Sequence, residues 1–152
     1  MIQGKWFAPG SDLSQVLSVR ETVFGRGKDS LDSLSWNVLV YQDNVPAATG
    51  RIWWEDGVFW LGNLCVIESF RHHHLGDLVL RLLLYKAQSH AAREVRLRCS
   101  VELTGFFSRL GLLPVQEFPP NLVEMMIQGE TIELDSCKNC PKSSCPNRKD
   151  HP

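Results

Sequence analysis

Residues 61–90 constrain the fold of this chain more than any other segment. An apolar run over residues 61–67 is typical of a buried strand, residues 71–76 form a polar loop, and leucines then repeat with the period of an amphipathic helix. The start of a helix leaves backbone N–H groups without intrahelical partners at the positive end of the helix dipole. The sequence therefore predicts a strand–loop–helix unit that can bind phosphate.

The composition of this loop disfavours two common phosphate ligands. It lacks the Gly-Lys-Ser/Thr of a nucleotide P-loop, and the chain has no Gly-x-Gly-x-x-Gly segment of the dinucleotide-binding type. We therefore do not expect ATP or NAD at this loop.

Length and composition predict one globular domain without a bulk-charge preference for nucleic acids or membranes. The chain has 152 residues, of which 43% are hydrophobic and 22% charged, and a formal net charge of −1. Its apolar runs are short, whereas a membrane-spanning helix needs about 20 apolar residues. Because the first residues also lack the pattern of a secretory signal, we expect a cytoplasmic protein that binds neither nucleic acid nor membrane.

Hydrophobic periodicity predicts an α/β (α+β) domain with a mixed sheet and the element order β-α-β-β-β-α-β-α-β-β. Glu55, Asp56 and Gly57 predict a tight hairpin, so the strands on either side of it should pair antiparallel. Ser11 or Asp12 can cap the first helix. The strands are expected at residues 2–8, 36–41, 45–54, 58–67, 95–99, 112–118 and 122–128, and the helices at residues 13–24, 76–90 and 104–110.

The domain is expected to cover residues 1–134, with residues 135–152 as a cysteine-rich appendage that has no apolar core of its own. Cys137, Cys140 and Cys145 could bind zinc, because a Cys-x-x-Cys pair grips one metal ion from a tight turn. The candidates for a fourth ligand are His151, Cys99 and Cys65. The spacing does not match the ferredoxin type of iron–sulfur site. A redox-active cysteine pair and an unstructured tail with free thiols are the alternatives.

Four segments in matching order resemble the GNAT superfamily of acyl-CoA-dependent N-acyltransferases. Residues 19–24 look like its Arg-x-x-Val-Phe segment, and residues 48–52 look like the strand that follows. Residues 66–76 are similar to the Arg/Gln-x-x-Gly-x-Gly/Ala cofactor loop, and residues 105–112 resemble the Phe-Tyr-x-x-Leu-Gly-Phe motif. The resemblance covers about residues 2–128. It implies a GNAT-like fold, with a mostly antiparallel central sheet of six or seven strands flanked by helices.

The resemblance implies acetyl-CoA, or another acyl-CoA, as co-substrate. Its pyrophosphate would lie on backbone N–H groups of the cofactor loop, and Arg71 would add positive charge. Its pantetheine arm would pair with the fourth strand like an added strand, where the fourth and fifth strands separate in this family. The residues implied in cofactor binding are Leu64, Cys65, Val66, Arg71, His72, His73, His74, Leu75, Gly76 and Asp77.

Three departures from the family pattern leave the catalytic residues unassigned. His74 replaces the middle glycine of the cofactor loop. Phe107 replaces a tyrosine that protonates the departing thiolate in many relatives, and Trp60 lies near the position of a glutamate base in some. Neither aromatic side chain can take over that proton transfer. The substitutes are Glu55, Asp56, Glu102 and Ser100, whose positions predict turn or surface residues.

Two further clusters have both a structural and a functional interpretation. Consecutive histidines at residues 72–74 point in different directions along a loop, which disfavours a shared metal ion. Trp53, Trp54 and Trp60 could line an apolar acceptor pocket, but we favour cross-strand pairing within the sheet.

The sequence thus predicts an N-acyltransferase that moves an acetyl or short acyl group from CoA to a primary amine by direct attack. The acceptor would be an amine-bearing small molecule, a protein or a peptide, and the resemblance adds a homodimer to these expectations. The alternative is a catalytically weak or inactive module of the same fold. Such a sensor or partner protein would respond through a metal- or redox-active cysteine tail.

Overall fold

The apolar patterns of the sequence fold into the elements that they predict, in a computed structural model that describes residues 1–134. The predicted order of strands and helices is confirmed. The strands are β1 (Ile2–Phe7), β2 (Trp36–Gln42), β3 (Val45–Glu55), β4 (Val58–Val66), β5 (Glu94–Ser100), β6 (Leu113–Phe118) and β7 (Leu122–Gln128). The α-helices of this part of the chain are α1 (Ser14–Phe24), α2 (Leu75–Ser89) and α3 (Thr104–Ser108).

The strands form one seven-stranded sheet in the order β1-β2-β3-β4-β5-β7-β6. Every neighbouring pair is antiparallel except β4 and β5, which run parallel because α2 carries the chain back between them. The predicted mixed, mostly antiparallel sheet is therefore confirmed. β7 lies between β5 and β6, so the last two strands form a hairpin that returns toward the centre of the sheet.

Helices cover the two faces of the sheet unequally. α2 and α3 pack on one face, where Val79, Leu83 and Phe107 belong to the main hydrophobic core. α1 packs on the other face, with Val16 and Val19 buried in a smaller core. Because α1 packs mainly on β2, β3 and β4, the same face of β5 and β7 carries charged side chains instead.

Local turn chemistry differs at the two ends of α1. The carboxylate of Asp12 accepts the Ser14 backbone N–H at 3.0 Å in the turn before the helix. The N-cap residue is Leu13, whose side chain makes no capping bond, so the cap expected from Ser11 or Asp12 is not formed. Gly25 ends the helix with a φ of 72°, which glycine adopts without steric cost.

A short 3₁₀ helix at Ser30–Ser33, which the periodicity does not predict, follows α1. It is too short to show a hydrophobic period, and a capping box formed by Asp29 and Asp32 holds it. No helix within residues 1–134 has the length and apolar character needed to cross a membrane.

Candidate functional site

A cavity opens where β4 and β5 separate. The two strands pair only over residues 59–61 and 95–97, and beyond these pairs they diverge around a space of about 260 Å³. β4 lines this reaction cavity with Leu61–Leu64 (residues 61–64), β5 lines it with residues 97–100, and Phe107 of α3 closes one side. The separation of the fourth and fifth strands expected from the family resemblance is therefore present.

A β-bulge lies in the β4 wall of the reaction cavity. Thr49 pairs with Cys65 and Arg51 pairs with Gly62, so two residues of β4 oppose one residue of β3. Asn63, inside the bulge, has a φ of 51°. A bulge takes its extra residue out of the hydrogen-bonded ladder, which leaves backbone polar groups available at the cavity wall.

The loop before α2 presents a continuous row of backbone donors. The first bond of this helix runs from the Leu78 N–H to the His74 carbonyl at 3.1 Å. Within the described part of the chain, the backbone N–H groups of residues 72–77 donate to no acceptor. Unpaired N–H groups at the positive end of a helix dipole are the features that bind phosphate.

Two histidines adopt the left-handed conformation in this loop. His72 has a φ of 68° and His74 a φ of 63°. Histidine is among the non-glycine residues that enter this region more readily than most. His74 therefore takes the backbone conformation that a glycine would allow, and alternation of this kind turns successive N–H groups toward one anion.

Charged side chains surround the loop, and the negative charge among them is compensated by arginines. Arg71 Nε donates to the Val66 carbonyl at 3.0 Å, which anchors the guanidinium beside the end of β4. Asp77 accepts from Arg81 Nε at 2.7 Å and lies 4.0 Å from Arg109. The negative charge of Asp77, next to the expected phosphate position, is thus offset by two guanidinium groups.

The predicted β4 residues divide between two surroundings. Leu64 lines the reaction cavity. Cys65 is buried against α1 on the other side, where burial raises the pKa of its thiol to about 11. The Cys65 side chain therefore acts as core, and only its backbone is available to a ligand. A Cβ on Gly76 would lie 3.6 Å from Val66 and 3.5 Å from Phe106, so β4, α2 and α3 meet at this loop.

The candidate acid and base residues differ in whether they line the reaction cavity. Phe107 and Ser100 line the reaction cavity, and Phe107 is otherwise packed into the core. Asp56 lies in the hairpin turn, and Glu102 is exposed in a 3₁₀ turn after β5. Among residues 1–134, no Asp, Glu, His or Tyr lines the reaction cavity. The cavity also contains Cys99, whose thiol pKa is raised by burial.

A second cavity, of about 300 Å³, adjoins the first on the α1 face of the sheet. It is lined by Trp53, Glu55, Trp60, Leu61, Gly62 and Arg98. Trp53 and Trp60 are cross-strand partners, which confirms the pairing expected from the sequence. The same two indoles also line this cavity, whereas Trp54 lies on the opposite face and is 60% exposed.

A buried charge network beside the reaction cavity escapes sequence reasoning. Arg20 on α1 donates two bonds to Asp32, at 2.8 and 3.0 Å, and one to Asn37 at 3.0 Å. Arg51 on β3 contacts both Asp32 and Asp29. The network ties the segment between α1 and β2 to the sheet, and this segment brings Arg26 to the cavity. Two features of the sequence could have indicated this network. They are an arginine among the apolar residues of α1 and of β3, and the Asp-x-x-Asp spacing of a capping box.

Nothing in the described residues forms a metal site. Within residues 1–134, no group of His, Cys, Asp and Glu side chains could hold a metal ion. The predicted zinc ligands Cys137, Cys140 and Cys145 lie outside the described residues.

Solved structures define the class of protein to which this fold and cavity belong. Escherichia coli ElaA superposes with a TM-score of 0.73 at 21% identity, over 84% of this chain and 100% of ElaA. An acyl-CoA N-acyltransferase from Pseudomonas aeruginosa superposes with a TM-score of 0.76 at 18% identity, over 83% of this chain and 99% of that protein. The chain has the fold of the acyl-CoA N-acyltransferases.

The chain belongs to the acetyltransferase (GNAT) family, whose model matches residues 13–112. The uncharacterized protein YyaT of Bacillus subtilis (strain 168) is 25% identical over 120 residues, which cover 71% of this chain and 81% of YyaT. The family resemblance of the four sequence segments is therefore confirmed.

Proposed function

We propose that this protein transfers an acetyl or other short acyl group from CoA to a primary amine. The observation that carries the proposal is the divergence of β4 and β5 after three paired residues, beside a loop of unpaired backbone N–H groups. The cavity between the strands suits a pantetheine arm, and residues 72–77 and Arg71 suit the pyrophosphate. The residues present thus fit acetyl-CoA as co-substrate.

The chain would contribute chiefly position and backbone dipoles to the reaction. Backbone N–H groups at Leu64–Val66 (residues 64–66) would polarise the thioester carbonyl. The amine nitrogen attacks that carbonyl carbon, a C–N bond forms, the C–S bond breaks, and the CoA thiolate leaves. Because the described lining of the cavity holds no carboxylate, imidazole or phenol, water carries the amine proton away and protonates the thiolate. Alignment of the two reactants supplies much of the rate.

Calorimetry with acetyl-CoA tests the proposal, combined with detection of free CoA thiol in the presence of primary amines. Ser100→Phe places a bulky ring in the reaction cavity and should abolish binding. Ser89→Phe is the matched control, because Ser89 lies at the end of α2 and does not line the cavity. Absence of binding by the unmodified protein at millimolar acetyl-CoA would remove the proposal.

The second candidate is a catalytically weak module that senses metal or redox state through its cysteine tail. It is favoured by the absence of a carboxylate, imidazole or phenol from the described cavity lining, where Phe107 takes the place of a tyrosine. Elemental analysis of purified protein, before and after Cys137→Ser, separates the two candidates. Bound zinc with negligible amine acylation would support the sensor.

The acceptor type, the homodimer and the cytoplasmic location stay predictions. The acceptor could be a small amine or an amine of a protein or peptide. Sedimentation of the full chain, with and without acetyl-CoA, measures the oligomeric state.

A further inference from the structure

The second cavity continues from the reaction cavity along the sheet. The two share Leu61, Gly62 and Arg98, so a molecule that fills the second cavity reaches the point where β4 and β5 separate. From there the second cavity follows β3 and β4 toward the hairpin at residues 55–58.

The lining of this cavity is a flat apolar surface made by two indoles. Trp53 and Trp60 face each other across β3 and β4. A Cβ on Gly62 would lie 3.0 Å from Cζ3 and 3.2 Å from Cη2 of Trp53, so the absence of a side chain there lets the indole lie against β4. Such a surface suits an extended apolar body. The guanidinium of Arg51 already lies 5.1 Å from the centre of the Trp53 ring, and that of Arg98 lies 5.7 Å from the centre of the Trp60 ring. A cation on the acceptor would therefore need a carboxylate rather than an indole face.

The charges around the indoles leave one carboxylate without a cationic partner. Arg51 is paired with Asp29 and Asp32. Arg98 is paired with Glu124 at 3.0 Å. Within residues 1–134, Glu55 forms no ion pair and accepts a single hydrogen bond, from Trp53 Nε1 at 3.2 Å.

Glu55 lies too far from the reaction cavity to exchange a proton with the reacting amine. Arg51, opposite Gly62, marks the cavity end of β3, and Glu55 is four residues further along the strand. At a rise of about 3.4 Å per residue this separation is roughly 14 Å. Glu55 can therefore act on the far end of an acceptor but not on its reacting end.

We propose that the second cavity is the acceptor subsite and that it selects an elongated amine with a second positive group at its far end. The reacting amine would lie at Gly62, the apolar body on Trp53 and Trp60, and the second cation beside Glu55. This inference rests on the proposed acyl transfer and names its acceptor class.

Three amines of equal length test the inference: 1,8-diaminooctane, octylamine and 8-aminooctanoic acid, whose far ends are positive, neutral and negative. kcat/KM at saturating acetyl-CoA should be highest for the diamine and lowest for the amino acid. Glu55→Gln should lower the value for the diamine about three- to tenfold and leave octylamine unchanged. Asp56→Asn is the matched control, because Asp56 lies outside the cavity and its φ of 54° suits asparagine.

Two results would overturn the inference while leaving the proposed acyl transfer intact. They are equal kcat/KM for the three amines, and an equal loss for all three in Glu55→Gln. Calorimetric binding of 1,8-diaminooctane and octylamine gives a readout that needs no turnover. If acetyl-CoA does not bind, the proposed function fails. The proposed subsite is then tested by diamine binding alone, which Glu55→Gln should weaken. Equal affinity of the unmodified protein for 1,8-diaminooctane and octylamine would reject the subsite.

Discussion

At the scale of single residues, His74 shows how a side chain can depart from a family motif while the backbone keeps the motif's shape. The cofactor loop needs a left-handed residue directly before α2, and His74 supplies it with a φ of 63°. A non-glycine residue pays about 1–2 kcal/mol for that conformation. The proposed phosphate donors are backbone N–H groups, so we expect binding at this loop to depend on backbone shape more than on side-chain identity.

We predict that His74→Val lowers the free energy of unfolding by about 1–2 kcal/mol, because a β-branched residue fits the left-handed region poorly. Affinity for acetyl-CoA should fall with it. His73→Val is the control, since His73 is exposed and has no positive φ. Urea denaturation and calorimetry measure the two quantities. Equal stability of the two variants would contradict the role given to the backbone of His74.

The sequence was sufficient to predict this loop and insufficient to predict the acceptor side. Residues 66–76 are contiguous, so the motif and the helix start could be recognised from order alone. Trp53, Trp60 and Arg98 come from three strands, and their meeting depends on the register of β3, β4 and β5. The hairpin turn predicts the pairing of Trp53 with Trp60, but the place of Arg98 beside them depends on the register of β4 and β5, which no sequence pattern fixes.

At the scale of elements, the charge network explains how a segment without regular periodicity keeps its place. Asp32 joins the 3₁₀ helix to α1 through Arg20 and to β3 through Arg51. The side chains of Arg20 and Asp32 are almost completely buried. Removing one member of such a pair leaves an uncompensated buried charge, which costs about 3–5 kcal/mol.

Asp32→Asn is therefore expected to lower the free energy of unfolding by about 3 kcal/mol or more, because Arg20 keeps its charge without its carboxylate partner. Asp29→Asn is a matched comparison, since Asp29 contacts Arg51 but its side chain is 40% exposed. It should cost about 1 kcal/mol or less. Urea denaturation at neutral pH measures both. An equal cost for the two variants would show that burial does not govern the network.

The same network predicts how stability depends on pH. Burial alone raises the pKa of Asp32, but hydrogen bonds from Arg20 and the Asp29 backbone, with the charges of Arg20 and Arg51, outweigh burial and lower that pKa to about 2. The ordinary value of 3.8 applies to the unfolded chain, so the stabilisation is complete above that pH and is lost as the pH falls through about 2. Unfolding free energies measured between about pH 5 and pH 2 should fall steeply, and Asp32→Asn should flatten the slope. An unchanged slope would contradict this assignment.

The sequence predicts the helices and strands whose apolar residues recur with a regular period. It does not predict the features that depend on packing between distant segments. α2 and the β3–β4 hairpin follow from their apolar spacing and from the turn at residues 55–57. The bulge at Asn63 and the place of β7 between β5 and β6 depend on contacts between distant segments. Both features shape the reaction cavity. Leu64, Ser100 and Phe107 could be expected there from the sequence and the family resemblance, whereas Arg26, Asn63 and Leu122 could not.

At the scale of the whole molecule, the last described residues pack along α2. Ile132 is 4% exposed, and its carbonyl accepts Gln88 Nε2 at 3.0 Å. The Leu134 carbonyl accepts Arg81 Nη1 at 3.1 Å. Residues 129–134 therefore belong to the folded unit, and the domain end expected at residue 134 stays a prediction.

Two truncations test that boundary. A chain that ends at Leu134 should keep the free energy of unfolding of the full chain within about 0.5 kcal/mol, because it retains the contacts of Ile132 and Leu134 with α2. A chain that ends at Gln128 should lose about 2–3 kcal/mol, since burial of the Ile132 side chain is lost. Urea denaturation compares the three chains, and acetyl-CoA calorimetry shows whether residues 1–134 suffice for binding. A large loss in the chain ending at Leu134 would move the boundary into the cysteine-rich appendage and join that appendage to the stability of the acyltransferase domain.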